Sequence, residues 1–374
     1  MKKLLIALLS LIMVFGCVSL VACGNKTAEI AVVTDVGLLK DGGFNQGTYE
    51  GAEAFAKAND MSYAYYQPAN GDKASDNDRI AAMRKAISNG AKIIVAPGFL
   101  QAAAMRTVAK ENPEVKFVFV DGWSLTDSVD EKGNDNGTVL QNVTAIVYKE
   151  QESGYMAGYA AVSEGYTKLG ATLGGGGTNP ACNRFGYGFM QGANDAAKSK
   201  NIQVTMKYSY KYGDNFQSSP ELKTQISGWY DGGVEVVFAC GGSMFQSVKA
   251  AAEATSAGKV IGVDVDQSGL SDRVITSAVK GLKESVQLIL DQWKAGEWDA
   301  KLGGKTSNLG AAEDATGLPT ATWSLKNFTV ENYQTLFNGI KNGTITVKSD
   351  VPSDCKADEN WYKGFSNLTV DFEK

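Results

Sequence analysis

Short, almost wholly apolar runs recur along this chain, and most are stopped by glycine, proline or aspartate: Ile30–Val33, Lys92–Ala96, Val115–Val120, Val143–Val147, Val234–Ala239, Val260–Val265 and Val274–Val279. They are too short for membrane helices and too continuous for strands with one wet face, so they read as strands covered on both faces. Segments of helical periodicity lie between them. In Arg79–Asn89, Ile80, Met83 and Ile87 fall on one face, and Asn89-Gly90 stops the helix. Helices are likewise expected over Leu100–Glu111, Tyr148–Ser163, Arg184–Lys198, Ser219–Asp231, Phe245–Ser256 and Gly281–Ala295. Strands that mostly alternate with helices across short loops predict parallel sheets with helices on both faces. The plan restarts after Ser163, beginning with Leu169–Gly177. The expected fold class is therefore α/β, with two doubly wound lobes joined by a hinge and a ligand between them.

The chain of 374 residues has room for two such lobes, and its composition, 44% hydrophobic and 21% charged, suits a globular protein. A net charge of −5 argues against a general nucleic-acid binder. There is no histidine, so mechanisms built on Ser-His-Asp or Cys-His are excluded. No cofactor and no metal are expected.

The beginning of the chain sets the compartment. Met1-Lys2-Lys3 is a positive n-region, and Leu4–Val21 is an apolar stretch that ends in Leu20-Val21-Ala22-Cys23. Residues 1–22 read as a secretory signal, and Cys23 as the lipid-attachment cysteine of a lipobox, with 23–27 the anchor and linker. The mature protein is expected on the extracytoplasmic face of the cell membrane. Beyond Cys23, Cys182, Cys240 and Cys355 remain; either one disulfide with a free thiol or three free thiols is compatible with that odd number.

The loops after the strands carry the chemistry. In an open parallel sheet, ligands bind at the carboxyl ends of the strands. Asp35, Asp121, the pair Gly241-Gly242, Asp264 and Lys280 all stand at or just past such ends. Asn45 sits where a helix N-cap is expected, with the helix running from about Gln46. Carboxylates accept paired hydroxyl protons, and glycines allow close approach. Phe44, Trp123 and Phe185 offer faces for stacking. A sugar joined to a flat base would use both kinds of group. The Gly174–Gly177 run lacks the Lys-Ser/Thr of a phosphate loop and reads instead as a loop beside the cleft.

Thr34-Asp35-Val36-Gly37, Asp41 through Gly47, and Tyr49-Glu50-Gly51 resemble the N-terminal signature of the basic membrane protein family, the purine nucleoside receptor lipoproteins that feed ABC transporters. Val120-Asp121-Gly122, Arg184 through Phe189, Cys240-Gly241-Gly242 and Gly262-Val263-Asp264 resemble its later blocks. The resemblance spans Ala28 to about Trp293. It implies a type I periplasmic-binding-protein fold with three crossovers, a monomer, and an ABC permease as partner. The implied lobes are 28–146 with about 280–318, and 147–279 with about 319–374. Phe44 and Phe185 then resemble base-stacking residues, Asp121 the base-reading carboxylate, and Asp264 with Gly241, Gly242 and Lys280 the ribose group. Thr178–Asn183 departs from the family by being polar, and 298–322 has no evident counterpart. Other readings are a sugar or autoinducer receptor of the same fold, an exported carboxylate-dependent glycosidase or nucleoside hydrolase, and a surface antigen without a ligand.

Overall fold

Each apolar run forms a strand, and the strands gather into two sheets. The computed structural model describes residues 27–36, 39–358 and 360–374; the expected signal segment 1–22 and Cys23 lie outside them. The first series is β1 (Ile30–Val33), α1 (Phe44–Ala58), β2 (Tyr63–Tyr66), α2 (Asp76–Ser88), β3 (Ile93–Pro97), α3 (Ala102–Glu111), β4 (Lys116–Val120), β5 (Val143–Tyr148) and α4 (Glu150–Glu164). The second is β6 (Lys168–Leu173), α5 (Pro180–Ser199), β7 (Val204–Ser209), α6 (Pro220–Asp231), β8 (Val236–Cys240), α7 (Met244–Glu253), β9 (Lys259–Asp264) and β10 (Val274–Lys280). The remainder supplies α8 (Leu282–Lys294), β11 (Thr306–Leu309), β12 (Thr316–Gly317), α9 (Val330–Lys341) and β13 (Leu368–Glu373).

The first sheet has the order β11-β5-β4-β3-β1-β2 and the second β12-β10-β9-β8-β6-β7-β13. Every pairing is parallel except that of β12 with β10. The chain therefore passes between the sheets three times: from β5 to β6, from β10 to β11, and from β11 to β12. Pro97 stands opposite Val120, Leu173 opposite Cys240, and Asp264 opposite Val279. Strands within a sheet thus end nearly level, and the residues that follow them share one edge.

Alternation along the strands builds the core. Ile30 and Val32 of β1 join Phe55, Leu282, Val286 and Ile289 from α1 and α8, whereas Ala31 and Val33 join Met83, Met105 and Val108 from α2 and α3. Both faces are buried, which is why the runs carry no polar alternation. Glycines set the closest helix approach. A Cβ on Gly154 or Gly158 of α4 would lie 2.1 Å from the carbonyl oxygen of Phe185 or Phe189 on α5. That seam locks the first turns of α5, and so Phe185, against the hinge end of α4.

Helix starts follow capping chemistry. Ser75 and Asp78 form a reciprocal box on α2, and Asn179 caps α5 with Pro180 in its first turn. Asn45 does not cap α1. The helix begins at Phe44, and the Asp41 carboxylate instead accepts from the backbone N–H groups of Gly43, Asn45 and Gln46.

Candidate functional site

The strand order reverses between β1 and β3 in the first sheet and between β6 and β8 in the second, and a doubly wound sheet opens a crevice at such a point. Here the crevices face one another around a cavity with about 710 Å³ of empty space, its open mouth included. Its walls include Asp35, Gly98 and Phe99 from the first reversal, and Cys240, Gly241 and Gly242 from the second. Of the residues expected from sequence, the structure brings Asp35, Phe44, Asn45, Asp121, Phe185, Gly241, Gly242, Asp264 and Lys280 to this cavity.

Lys280, the last residue of β10, is the hub. Its Nζ lies 2.5 Å from Asp121 Oδ2, 3.4 Å from Asp264 Oδ1 and 3.9 Å from Glu150 Oε1. It also stands over the rings of Phe44, Tyr148 and Phe185, at 4.7, 5.3 and 5.7 Å from their centroids. Burial opposes the charge on Lys280, but Asp121, Asp264 and Glu150 outweigh it and push its pKa up. Glu150, wholly buried at the start of α4, is held by Arg184 Nε at 2.6 Å. The first sheet, the second sheet and the crossover between them therefore all meet on one ammonium.

Asp121 and Asp264 have left-handed backbone conformations, with φ of 55° and 68°. Aspartate is among the few residues that tolerate this region, and such strain gathers at functional sites. Burial raises the Asp264 carboxyl to about 6, with Lys280 opposing the rise. Asp35 is also raised by burial to about 6, against the pull of Arg79, whose guanidinium is 3.7 Å away. One oxygen each of Asp35 and Asp121 is buried without a hydrogen-bond partner. These are acceptors in place before any ligand arrives.

Asn45 lines the cavity and also braces the loop beside it. Its Oδ1 accepts from the Asp35 N–H at 3.0 Å, and its Nδ2 donates to Val36 O at 2.9 Å. The amide fastens the loop that presents Asp35. Trp123 is not brought to the cavity. Its ring packs on Phe119 at 5.3 Å, its indole N–H donates to Asp135 at 2.6 Å, and 40% of the residue is exposed. Phe185 lines the cavity, and its ring also packs edge-on to Phe238 at 6.1 Å.

Sequence reasoning missed Phe216. It lies in the polar loop after β7, lines the cavity, and has a φ of 62°, exceptional for an aromatic residue. Its ring fills the space that Gly174 and Gly241 leave open: a Cβ at those positions would lie 2.3 and 3.2 Å from Phe216 Cδ1. An aromatic within Gly213-Asp214-Asn215-Phe216 was the available signal. Asp41, Phe99, Asn179, Gln217 and Ser243 also line the cavity and were not anticipated there. Among the described lining residues, the acids Asp35, Asp41, Asp121 and Asp264 face a single base, Lys280. The walls thus combine aromatic faces with an excess of hydrogen-bond acceptors, a chemistry suited to a neutral ligand with hydroxyl or amino donors and a flat ring.

The Bmp family model, described as ABC transporter substrate-binding protein PnrA-like, matches residues 28–351. The chain is 31% identical to the ABC transporter nucleoside-binding protein BmpA of Lactococcus lactis subsp. cremoris, covering 92% of this chain and 97% of that one. It is 30% identical to the CD4+ T-cell-stimulating antigen of Listeria monocytogenes, covering 85% and 91%. Among solved structures, an ABC transporter solute-binding protein from Aeropyrum pernix superposes with a TM-score of 0.68 at 21% identity, over 86% of this chain and 94% of that one.

Proposed function

The chain belongs to the Bmp family of PnrA-like ABC transporter substrate-binding proteins, and from that premise we propose that it captures nucleosides, purine nucleosides above all, for an ABC permease. The reading rests on one observation: a cavity that pairs aromatic walls with acids and a single ammonium. In this proposal the base lies between Phe44, from the first lobe, and Phe216, from the second. Asp121 reads donors on the base. Asp264 accepts ribose hydroxyls beside Gly241 and Gly242, and Lys280 holds both acids in place. Asp35 supplies a further acceptor. The relative in Lactococcus lactis, named a nucleoside-binding protein, supports the assignment.

The electrostatics favour nucleosides over nucleotides. A phosphate would enter a pocket where acids outnumber the base, and like charges at close range repel. The protein is further proposed to act as a monomer without catalysing a reaction. Residues 1–22 would be removed and Cys23 would carry the lipid that holds the chain on the extracytoplasmic face. Among the described residues no helix is long and apolar enough to cross a membrane.

Calorimetric titration with inosine, guanosine, adenosine, cytidine, their 2′-deoxy forms, free bases, ribose and nucleoside 5′-monophosphates tests the proposal. Ribonucleosides should bind at least a hundredfold more tightly than ribose or the monophosphates. Ribose binding as tightly as inosine would transfer the site to sugars. Free base appearing in the mixture would make the protein a hydrolase.

A further inference from the structure

Gln267 is 1% exposed and lies outside the cavity wall, yet it spans the two lobes. Its backbone N–H donates to Ser277 Oγ at 3.0 Å, and its Oε1 accepts from the Val263 N–H at 3.0 Å. Both bonds lie within the second lobe. The remaining group, Nε2, crosses to the first lobe and donates to Gly42 O at 2.9 Å. The fold makes room for this side chain: a Cβ on Gly262 would lie 2.5 Å from Gln267 Oε1. Leu270, in the same loop and 41% exposed, covers the other side of Gly42, where a Cβ would lie 2.8 Å from its Cδ1.

The position of Gly42 gives these contacts their meaning. It sits between Asp41, which caps α1, and Phe44, which lines the cavity. We propose that Gln267 and Leu270 form a latch from the second lobe onto Gly42, which holds the Asp41–Phe44 loop against the ligand and sets the rate of release. Gln267 is a positioning residue in this scheme and touches no ligand. The bond to Val263 fixes the amide so that its N–H groups already face the cleft when the lobes part. Little ordering cost then remains for closure. The latch goes beyond the nucleoside reading and depends only on a ligand held between the lobes.

The test is Gln267→Glu. The substitution keeps the acceptor for Val263 and the length of the side chain, removes the donor to Gly42, and sets a carboxylate oxygen against a carbonyl. Leu270→Ala is the companion, at a half-exposed position where folding is safe. The readouts are the closed fraction of the ligand-free protein, from single-molecule distances between fluorophores on the two lobes, and stopped-flow association and release of inosine. Loss of that hydrogen bond, with the added repulsion in Gln267→Glu, should speed release at least about threefold while leaving the association rate near wild type, and Leu270→Ala should keep a melting temperature near wild type. The closed fraction should fall in both variants, less in Leu270→Ala. Wild-type release and closed fraction in Leu270→Ala together with either the same in Gln267→Glu or its failure to fold would overturn the latch. So would faster release that merely tracks a lowered melting temperature. If inosine does not bind, the closed fraction still decides the latch, and the failure falls on the nucleoside assignment alone.

Discussion

Asp121 and Asp264 occupy corresponding places in the two sheets, at the ends of β4 and β9, and both approach the same Lys280 ammonium, at 2.5 and 3.4 Å. Each has the left-handed backbone that turns its carboxylate toward the cleft. The ammonium therefore both lines the cavity and ties residues of the two sheets together. Lys280→Met keeps the volume and removes the charge, leaving Asp121, Asp264 and Glu150 facing one another. Breaking one partner of a buried pair costs about 3–5 kcal/mol. The variant should melt well below wild type and bind no nucleoside measurably, by calorimetry and thermal unfolding. Wild-type affinity in Lys280→Met would remove the ammonium from the site.

Three of the aromatics at the cavity should fail in different ways. Phe185 is 2% exposed and packs on Phe238, so Phe185→Ala should destabilise by about 3–5 kcal/mol as a core truncation does. Phe44 opens α1 in the first lobe, Phe216 stands on a loop of the second, and base–aromatic stacking is worth about 1–3 kcal/mol per base. Phe44→Ala and Phe216→Ala should each weaken nucleoside binding about fivefold to a hundredfold with little change in unliganded melting temperature. Phe216→Asn should be more stable than Phe216→Ala, because asparagine accepts the left-handed backbone. Equal losses of stability in all three would mean that none stacks on a ligand.

The core strands were legible because they are buried on both faces and therefore carry unbroken apolar runs. Of the edge strands, β2 was legible from the weak alternation of Ser62–Tyr66, and the other three were not. Thr306–Leu309 reads Thr-Ser-Asn-Leu and is half-exposed at the sheet edge; β12 has two residues; β13 alternates like a surface strand. Nothing local marks them, since partners far along the chain, β5, β10 and β7, make them strands. Asp35, Asp121 and Asp264 were legible because each stands at or just past the end of an apolar run, whereas Asp41, in the loop before α1, was not. Phe216 was not, because a strained loop and two glycine turns distant in sequence bring it there. Trp123 misled because it follows Asp121 by two residues, while its ring turns back onto Phe119. Asn45 misled because Asp41, four residues earlier, does the capping.

Cys182, Cys240 and Cys355 are all buried free thiols. Burial pushes the Cys355 thiol up to about 11, and burial raises Cys240 as well; protonated thiols are poor nucleophiles. Nucleoside affinity should therefore be unchanged by mild reductant, and thiol titration of the folded protein should be slow until it is denatured. A drop in affinity with reductant would show that a disulfide forms in the working protein.

The proposed tether is tested at Cys23. Cys23→Ala should leave the precursor uncleaved or release the chain into the medium, as read by its mass and by partition into detergent. A lipid-bearing Cys23→Ala protein would sink the assignment.

The last prediction concerns pH, where stability and affinity should move in opposite directions. Burial raises the carboxyls of Asp35 and Asp264 from an ordinary value of 3.8 to about 6 in the folded protein. Between these values the folded state holds more protons than the unfolded one, so unfolding free energy falls as pH rises. These two groups therefore make the unliganded protein more stable as pH drops from about 7 toward 4. Ligand binding has the other sign. Ribose hydroxyls donate to the ionised carboxylate, and charge-assisted hydrogen bonds of about 1.5–3 kcal/mol each are at stake. Nucleoside affinity should thus fall as pH passes down through about 6. Asp264→Asn should flatten part of both profiles and cost at least about a hundredfold in affinity at pH 7, or about 2.7 kcal/mol. Titrations from pH 5 to 8, beside unliganded melting curves of wild type and Asp264→Asn, measure both slopes. Affinity that rises on acidification, or a folded Asp264→Asn protein with wild-type affinity, would exclude the carboxylate as a hydroxyl acceptor.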